Sequence, residues 1–396
     1  MLKKRTVEDV DFAGRKALVR TDYNVPMDGN RNITDDIRIR ATLPTINHIL
    51  DAGGSVILMS HLGRPKGKVV PEMSLAPVAK RLGRLLHQDV RLAPDCIGVE
   101  AENLAGELQS GEVLLLENLR FHPGESINDM EFARNLAQLG DVYVDDAFAN
   151  AHRQHASMIG VPQLLKPAVA GFLVKNEISY IHKSLEDPVR PLAAIFGGAK
   201  VSDKIKAIMR LLEKVDKIII GGGMAYTFLD SMGYSVGRSL VEKDMLELAR
   251  DIMDRARELG VPFYLPVDAV AAKSRGELVE ARIYPAQEIP DDCMGLDIGP
   301  ATITLFGSAL AGAGTIVWNG PMGVFELSQF SKGTFSMVDI VAKSPALTIL
   351  GGGDTDVAVH ATGNSEKIDY ISTGGGAFLK LLETGELPGL NALDDA

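Results

Sequence analysis

Cysteine and tryptophan are scarce: the 396-residue chain holds two cysteines and one tryptophan. Cys96 and Cys293 lie far apart, which argues against a disulfide framework and against a cysteine metal site. Positive charge is also short. The net charge is −11 and the isoelectric point about 5.3, so the surface as a whole repels nucleic acid and anionic membranes. Any anionic ligand must then be held by a local basic cluster. No apolar run approaches the ~18 residues of a membrane span. The lysines of the N-terminus, MLKKRTVEDVDF, have no apolar segment behind them, so no signal peptide is expected and a reducing cytoplasm is. Four signatures are missing. Without G-x-x-x-x-G-K-[ST] the chain is no ordinary P-loop NTPase, and without H-R-D and D-F-G it is no protein kinase. It also lacks H-E-x-x-H.

What remains is ordinary globular composition, 46% hydrophobic and 23% charged with 40 glycines and 19 prolines. At ~100–200 residues per domain the length predicts two domains. Short apolar runs alternate with helical patterns. Strands are predicted over 16–20, 55–60, 112–117 and 141–144 in the first half. In the second they are predicted over 191–196, 217–220, 262–265, 315–318 and 347–350. Helices are predicted over 129–139, 204–215 and 243–259. Continuous apolar strands in a βαβα order argue for α/β architecture with parallel sheets covered on both faces. Ligands then bind beyond the carboxyl ends of the strands.

The post-strand segments differ between the halves. Those of the first half carry arginine and histidine: Arg20-Thr-Asp22-Tyr23-Asn24, Ser60-His61-Leu62-Gly63-Arg64-Pro65, Asn118-Leu-Arg120-Phe-His122 and Ala151-His152-Arg153-Gln154-His155. Guanidinium groups converging beyond one sheet edge suit a compact polyanion, because the planar fork grips phosphate or carboxylate at two points. Asp22 and Asn24 add hydroxyl selection. The bland alternative is that each arginine pairs with a neighbouring acid, and His61 and His155 alone read as structural.

Those of the second half are glycine-rich: Gly197-Gly-Ala-Lys200, Gly221-Gly-Gly223, Gly351-Gly352-Gly353-Asp354-Thr355 and Gly374-Gly375-Gly376. Strand, glycines, then helix is the geometry that brings backbone N–H groups to a phosphate. Lys200 and Lys204, four apart, share a face that suits a phosphate chain. Asp354 reads either as a Mg²⁺ ligand beside nucleotide phosphates or as a helix N-cap. Glu326 is a candidate for ribose hydroxyls. Charge divides with the motifs: residues 1–170 hold 20 basic and 22 acidic residues, the other 226 hold 21 and 30. The boundary is placed near 166–171, with a joining helix over 172–185 and an irregular tail over 385–396.

One half for a small polyanion and one for a nucleotide suggest phosphoryl transfer, which needs positioning and charge neutralisation more than covalent help. No general base is evident, as expected if the acceptor is already ionised. Two rivals stand beside this. A dinucleotide dehydrogenase would want G-x-G-x-x-G after an early strand, where this chain has Arg-Thr-Asp. A non-catalytic anion binder would not need Lys200, Asp354 or the triple glycines.

Taken in order along the whole chain, these motifs resemble the phosphoglycerate kinase family. They include Arg20–Pro26, Ser60–Pro65, Glu117–His122, Ala151–Arg153, Gly197–Lys204, Trp318–Glu326, Gly351–Thr355 and Ser372–Gly376. The resemblance implies two doubly wound, Rossmann-like parallel-sheet lobes joined by a helix and hinge. Residues 1–170 would bind phosphoglycerate, with a C-terminal tail of about 385–396 packing back on them, and 171–384 would bind nucleotide. It implies phosphoglycerate binding by Asp22, Tyr23, Asn24, Arg38, His61, Leu62, Gly63, Arg64, Arg120 and Arg153. Nucleotide binding falls to Lys204, Gly295, Glu326, Gly352, Gly353, Asp354 and Thr355, with Asp354 also the Mg²⁺ carboxylate. Catalytic roles fall to Arg38, Lys200, Gly353 and Gly375. It further implies a cytoplasmic, hinge-bending monomer whose partners are ATP/ADP and 3-phosphoglycerate/1,3-bisphosphoglycerate, not nucleic acid or membrane. The sequence departs from the family pattern at Tyr23, Gln154 and Ala377-Phe378-Leu-Lys380, and none of these removes a phosphate ligand.

Overall fold

The computed structural model describes residues 3–396. They form two compact units, 3–179 with 386–396, and 180–385. The expected joining helix is present as Phe172–Leu185, and the division lies inside it rather than before it.

In the first unit the strands are β1 (Lys16–Thr21), β2 (Ser55–Met59), β3 (Val90–Leu92), β4 (Val113–Leu115), β5 (Val142–Asp146) and β6 (Ala168–Ala170). They form one sheet in the order β3-β4-β2-β1-β5-β6, and every pairing is parallel. β1, β2, β4 and β5 are buried nearly throughout, which is why residues 17–19, 56–59, 113–115 and 142–144 run apolar without alternation. One core cluster joins Val19, Val56, Leu58, Leu115 and Val144 to Ile39, Ile46 and Leu82 from the covering helices. The order reverses at β1, whose neighbours are β2 and β5, so the switch-point crevice opens beyond the carboxyl end of β1. The tail is not irregular. Pro388–Asn391 is a helical turn, and Gly389 N–H donates to Ala151 O at 2.8 Å. Asp394 accepts from Ala168 N–H at 2.9 Å and from Lys166.

The second unit contains β7 (Leu192–Phe196), β8 (Lys217–Ile220), β9 (Ser235–Val236), β10 (Phe263–Tyr264), β11 (Asp268–Ala272), β12 (Ala281–Pro285), β13 (Glu288–Ile289), β14 (Met294–Ile298), β15 (Thr315–Asn319), β16 (Leu347–Gly351) and β17 (Tyr370–Ile371). Its main sheet is again parallel, β10-β8-β7-β15-β16-β17, reversing at β7. The sequence did not reveal a second sheet, the antiparallel β12-β11-β14. Asp268–Ala272 and Met294–Ile298 are too poor in β-branched residues to read as strands alone. Their pairing is set by burial, with Ala269, Ala271 and Ala272 inside the unit. Among the described residues no helix is long and apolar enough to cross a membrane.

Candidate functional site

In the first unit, all four basic loops follow strands of the parallel sheet. Arg38 stands in the first turn of the helix Ile37–Asp51. Its Nη1 donates to Asp22 Oδ2 at 2.8 Å and to Asn24 O at 3.2 Å, and about two fifths of the side chain stays exposed. Asn24 in turn ties two loops, because its Oδ1 accepts from Gly63 N–H at 2.8 Å. Arg120 Nη1 donates to Gly63 O at 2.8 Å, and Asn118 Nδ2 donates to Leu62 O at 2.7 Å. Asp22, Asn24, Arg38, Leu62, Gly63 and Arg120 thus form one connected constellation. Leu62 is buried and contributes its backbone, while Arg64 is exposed with no hydrogen bond or ion pair among the described residues.

Tyr23 departs from its expected place as a ligand-contacting residue. Its side chain is fully buried and its hydroxyl meets Thr42 Oγ1 at 2.9 Å. Burial pushes its phenol well above the usual range. It is a core residue whose backbone N–H donates to Ser60 Oγ at 2.8 Å. Alternation explains this, since Asp22 and Asn24 face out on either side of it.

Two guanidinium atoms carry the chemistry of this unit. Arg120 Nη2 and Arg153 Nε are buried and have no protein partner. A buried cationic donor left unpaired is costly, so these atoms are suited to an anion from outside. Burial, then Arg153 and Arg20, push Arg120 down to about 10, which leaves it charged at neutral pH. His61 is held well below its ordinary value by burial and by Arg20, Arg120 and Arg153. Arg20 Nη2 donates to His61 Nδ1 at 3.3 Å. The neutral ring therefore carries its proton on Nε2, as a donor.

What balances this charge is not visible in the sequence. Arg20 is wholly buried and its Nε donates to Ser157 Oγ at 2.8 Å. Ser157 Oγ and N–H donate to Glu125 at 2.7 and 2.9 Å, and His155 Nδ1 lies 3.6 Å from the same carboxylate. Burial works to raise Glu125, but His155, Arg20 and Ser157 outweigh it and hold it ionised. Glu125 lies in a polar stretch, Pro123–Ser126, with no spacing that links it to Ser157.

In the second unit, glycine loops surround a cavity of about 370 Å³ lined by Gly198, Gly222, Tyr226, Gly295, Glu326 and Asp354, among others. Gly295, Glu326 and Asp354, far apart in sequence, therefore meet. Gly295 N–H donates to Ser239 Oγ at 2.9 Å, and Glu326 is exposed. Lys204 Nζ donates to Asn319 O at 3.0 Å and also to Asn319 Oδ1. Burial lowers Lys204 to about 8, against the opposing pull of Asp203 and Asp354. Lys200 is exposed and makes no hydrogen bond or ion pair among the described residues.

The helices Gly353–Ala361 and Gly375–Thr384 both begin without a side-chain cap. Gly352 has φ +108°, which no L side chain adopts readily. A Cβ on Gly375 would stand 2.6 Å from Gly352 Cα, so only glycine lets the two helix starts touch. Their free N–H groups and aligned dipoles form an electropositive face. Asp354 is exposed in the first turn, whereas Thr355 is buried with its Oγ1 accepting from Gly320 N–H at 2.8 Å. Thr355 ties the loop after β15 to the helix that follows β16. Asp354 makes no side-chain cap, which removes the N-cap alternative. Of the departures, Phe378 packs its ring against Gly351, and Lys380 pairs with Glu383 at 3.1 Å.

A unit with buried, unpartnered guanidinium atoms beyond one parallel sheet, and another with uncapped helix starts and lysines beyond a second, is the arrangement of a phosphotransferase. The phosphoglycerate kinase family model matches residues 7–385, and the chain belongs to that family. It is 56% identical over 392 residues to the phosphoglycerate kinase of Geobacter metallireducens, covering 99% of this chain and 98% of that one. It is 55% identical over 395 residues to that of Aquifex aeolicus, covering 100% and 99%. The solved phosphoglycerate kinase of Coxiella burnetii superimposes with a TM-score of 0.91 at 40% identity, covering 98% of each chain.

Proposed function

We propose that the chain catalyses reversible, Mg²⁺-dependent phosphoryl transfer between 3-phosphoglycerate with ATP and 1,3-bisphosphoglycerate with ADP, in glycolysis and gluconeogenesis. The first unit binds the phosphoglycerate through Asp22, Asn24, Arg38, His61, Gly63, Arg64, Arg120 and Arg153, with Tyr23 and Leu62 supplying backbone. The second binds nucleotide through Lys204, Gly295, Glu326 and Gly352–Thr355. The observation that carries this reading is the pair of buried, unpartnered guanidinium N–H groups on Arg120 and Arg153.

The acceptor carboxylate is ionised at neutral pH, so no side chain needs to take a proton from it. The protein's task is to place the acceptor oxygen in line with the terminal phosphate and to spread the charge that develops. Arg38 does this from the acceptor side, where half its guanidinium is already oriented by Asp22 and Asn24. Lys200 and the N–H groups of Gly353 and Gly375 do it from the nucleotide side. A Mg²⁺ ion fits at Asp354, since this ion is commonly held by one carboxylate together with phosphate oxygens and waters. When bound it neutralises phosphate charge.

Direct transfer requires the two substrates to meet and water to be excluded, so hinge closure of the two units belongs to the proposal. So does a monomer working in the cytoplasm, where glycolysis runs. Its net charge of −11 disfavours nucleic acid and anionic membranes as partners. A coupled assay tests the reading: ADP must form from Mg-ATP only when 3-phosphoglycerate is present. Hydride transfer instead would favour a dehydrogenase. Failure of Mg-ATP to bind in calorimetry would leave only an anion binder.

A further inference from the structure

Sequence spacing disfavoured a site built from cysteines, but the fold supplies other donors to one of them. Asp95 and Cys96 follow β3 and its neighbour Ala93, and His122 follows the segment after β4. Pairing of β3 with β4 brings the two segments side by side. One ligating atom each from Asp95, Cys96 and His122 lie within 4.8 Å of one another. His122 Nε2 stands 2.7 Å from Asp95 Oδ1. The imidazole is oriented by packing on Phe132, with ring centroids 5.4 Å apart. Cys96 is wholly buried, while the Asp95 and His122 side chains are 46% and 27% exposed. An ion can therefore reach the cluster from solvent, with the sulfur at its floor.

We propose that Asp95, Cys96 and His122 form a binding site for a borderline-soft divalent cation, Zn²⁺ above all, separate from the Mg²⁺ position at Asp354. Sulfur, nitrogen and oxygen donors together suit Zn²⁺ and not Mg²⁺, which takes oxygen ligands in octahedral geometry. Three protein ligands leave one tetrahedral position for water on the exposed side. As the metal–thiolate bond forms, the thiol proton passes to solvent, and the metal replaces the Asp95–His122 contact. Arg120 lies two residues before His122 in the same segment, so the ion clasps the loop that carries one of the anion-site guanidiniums.

The test uses the full chain with Cys293→Ser, which leaves Cys96 as its one thiol. Co²⁺ is the spectroscopic probe and Zn²⁺ the competitor. The expected result is one Co²⁺ per chain, a sulfur-to-cobalt charge-transfer band with tetrahedral d–d bands, and loss of all three on adding Zn²⁺. Adding Cys96→Ser should abolish the charge-transfer band. Asp95→Asn and His122→Gln, both at partly exposed positions, should each weaken binding about 10–100-fold. They decide the matter if the buried Cys96→Ser fails to fold by circular dichroism. Zn²⁺ should also raise the melting temperature of the parent and not of the variants. The proposal is overturned by a parent protein that binds no Co²⁺, by binding without a thiolate band, or by affinity unchanged in Asp95→Asn and His122→Gln.

Discussion

The two units share a doubly wound sheet and, on the proposed function, would recognise phosphate by opposite means. The first uses side chains: guanidinium groups from loops more than thirty residues apart, held by a buried acid, Glu125. The second uses backbone: helix starts that only glycine allows to touch, with two lysines added. Side-chain recognition depends on keeping several like charges close together, so it requires a compensating interior. Backbone recognition requires close approach and little else. The first should therefore fail through charge, and the second through shape or through the protonation of Lys204.

The largest break in this comparison is Arg38→Ala. Turnover should fall by roughly a thousandfold, the order expected when an arginine that meets transferring phosphoryl charge is removed. The Mg-ATP dissociation constant, which belongs to the other unit, should stay within error. Steady-state kinetics beside a nucleotide titration measures both, and an unchanged turnover number refutes the role.

Next is Glu125→Ala, which leaves Arg20 and His155 without their buried counter-charge. Removing one partner of such a cluster costs about 3 kcal/mol or more. Urea unfolding should show it as a lowered midpoint, and a midpoint equal to that of the parent shows that Glu125 compensates nothing.

Lys204→Met sharpens the second half of the comparison, weakening ATP about tenfold, the loss of one charge-assisted contact, with phosphoglycerate affinity kept. The sign of its pH dependence follows from burial. With Lys204 lowered to about 8, the cation that holds phosphate is full below that value and is lost as pH rises through it. Nucleotide affinity in the parent should thus decline between pH 7 and 9. A decline of the same size in Lys204→Met assigns the titration elsewhere.

The smallest effect is Asp394→Asn. It removes the charge facing Lys166 and leaves one acceptor for Ala168 N–H, a loss of about 1 kcal/mol. Differential scanning calorimetry should find a melting temperature lower by a few degrees, with turnover intact. An unchanged melting temperature would mean that the tail is not held by this residue.

The parallel sheets were legible because a strand buried on both faces carries an unbroken apolar run, as residues 17–19 of β1, 56–59 of β2, 192–196 of β7, 218–220 of β8 and 316–318 of β15 do. Arginine and glycine loops were legible because they follow those strands directly. The antiparallel sheet of β11, β12 and β14 was not, since alanine and glycine become strand residues only when a neighbour buries them. The inward turn of the Tyr23 side chain was not legible because adjacency in sequence to Asp22 and Asn24 says nothing about which way alternate side chains point. Glu125, Ser157 and Asp95 went unnoticed because an acid or a serine in a polar loop acquires its meaning only from what packs over it.

By itself the sequence determined the chemistry on offer: strong bases after one set of strands, glycines after the other, and an acidic exterior that confines anions to those places. The two sets of loops follow from short-range rules of burial, periodicity and turn formation, and the acidic exterior from composition. Only tertiary structure decided which charges stand unpaired, which tyrosine turns inward and which acid neutralises which arginine. Electrostatic and hydrogen-bonding energies depend on distance and burial, and the fold alone sets these for residues remote along the chain.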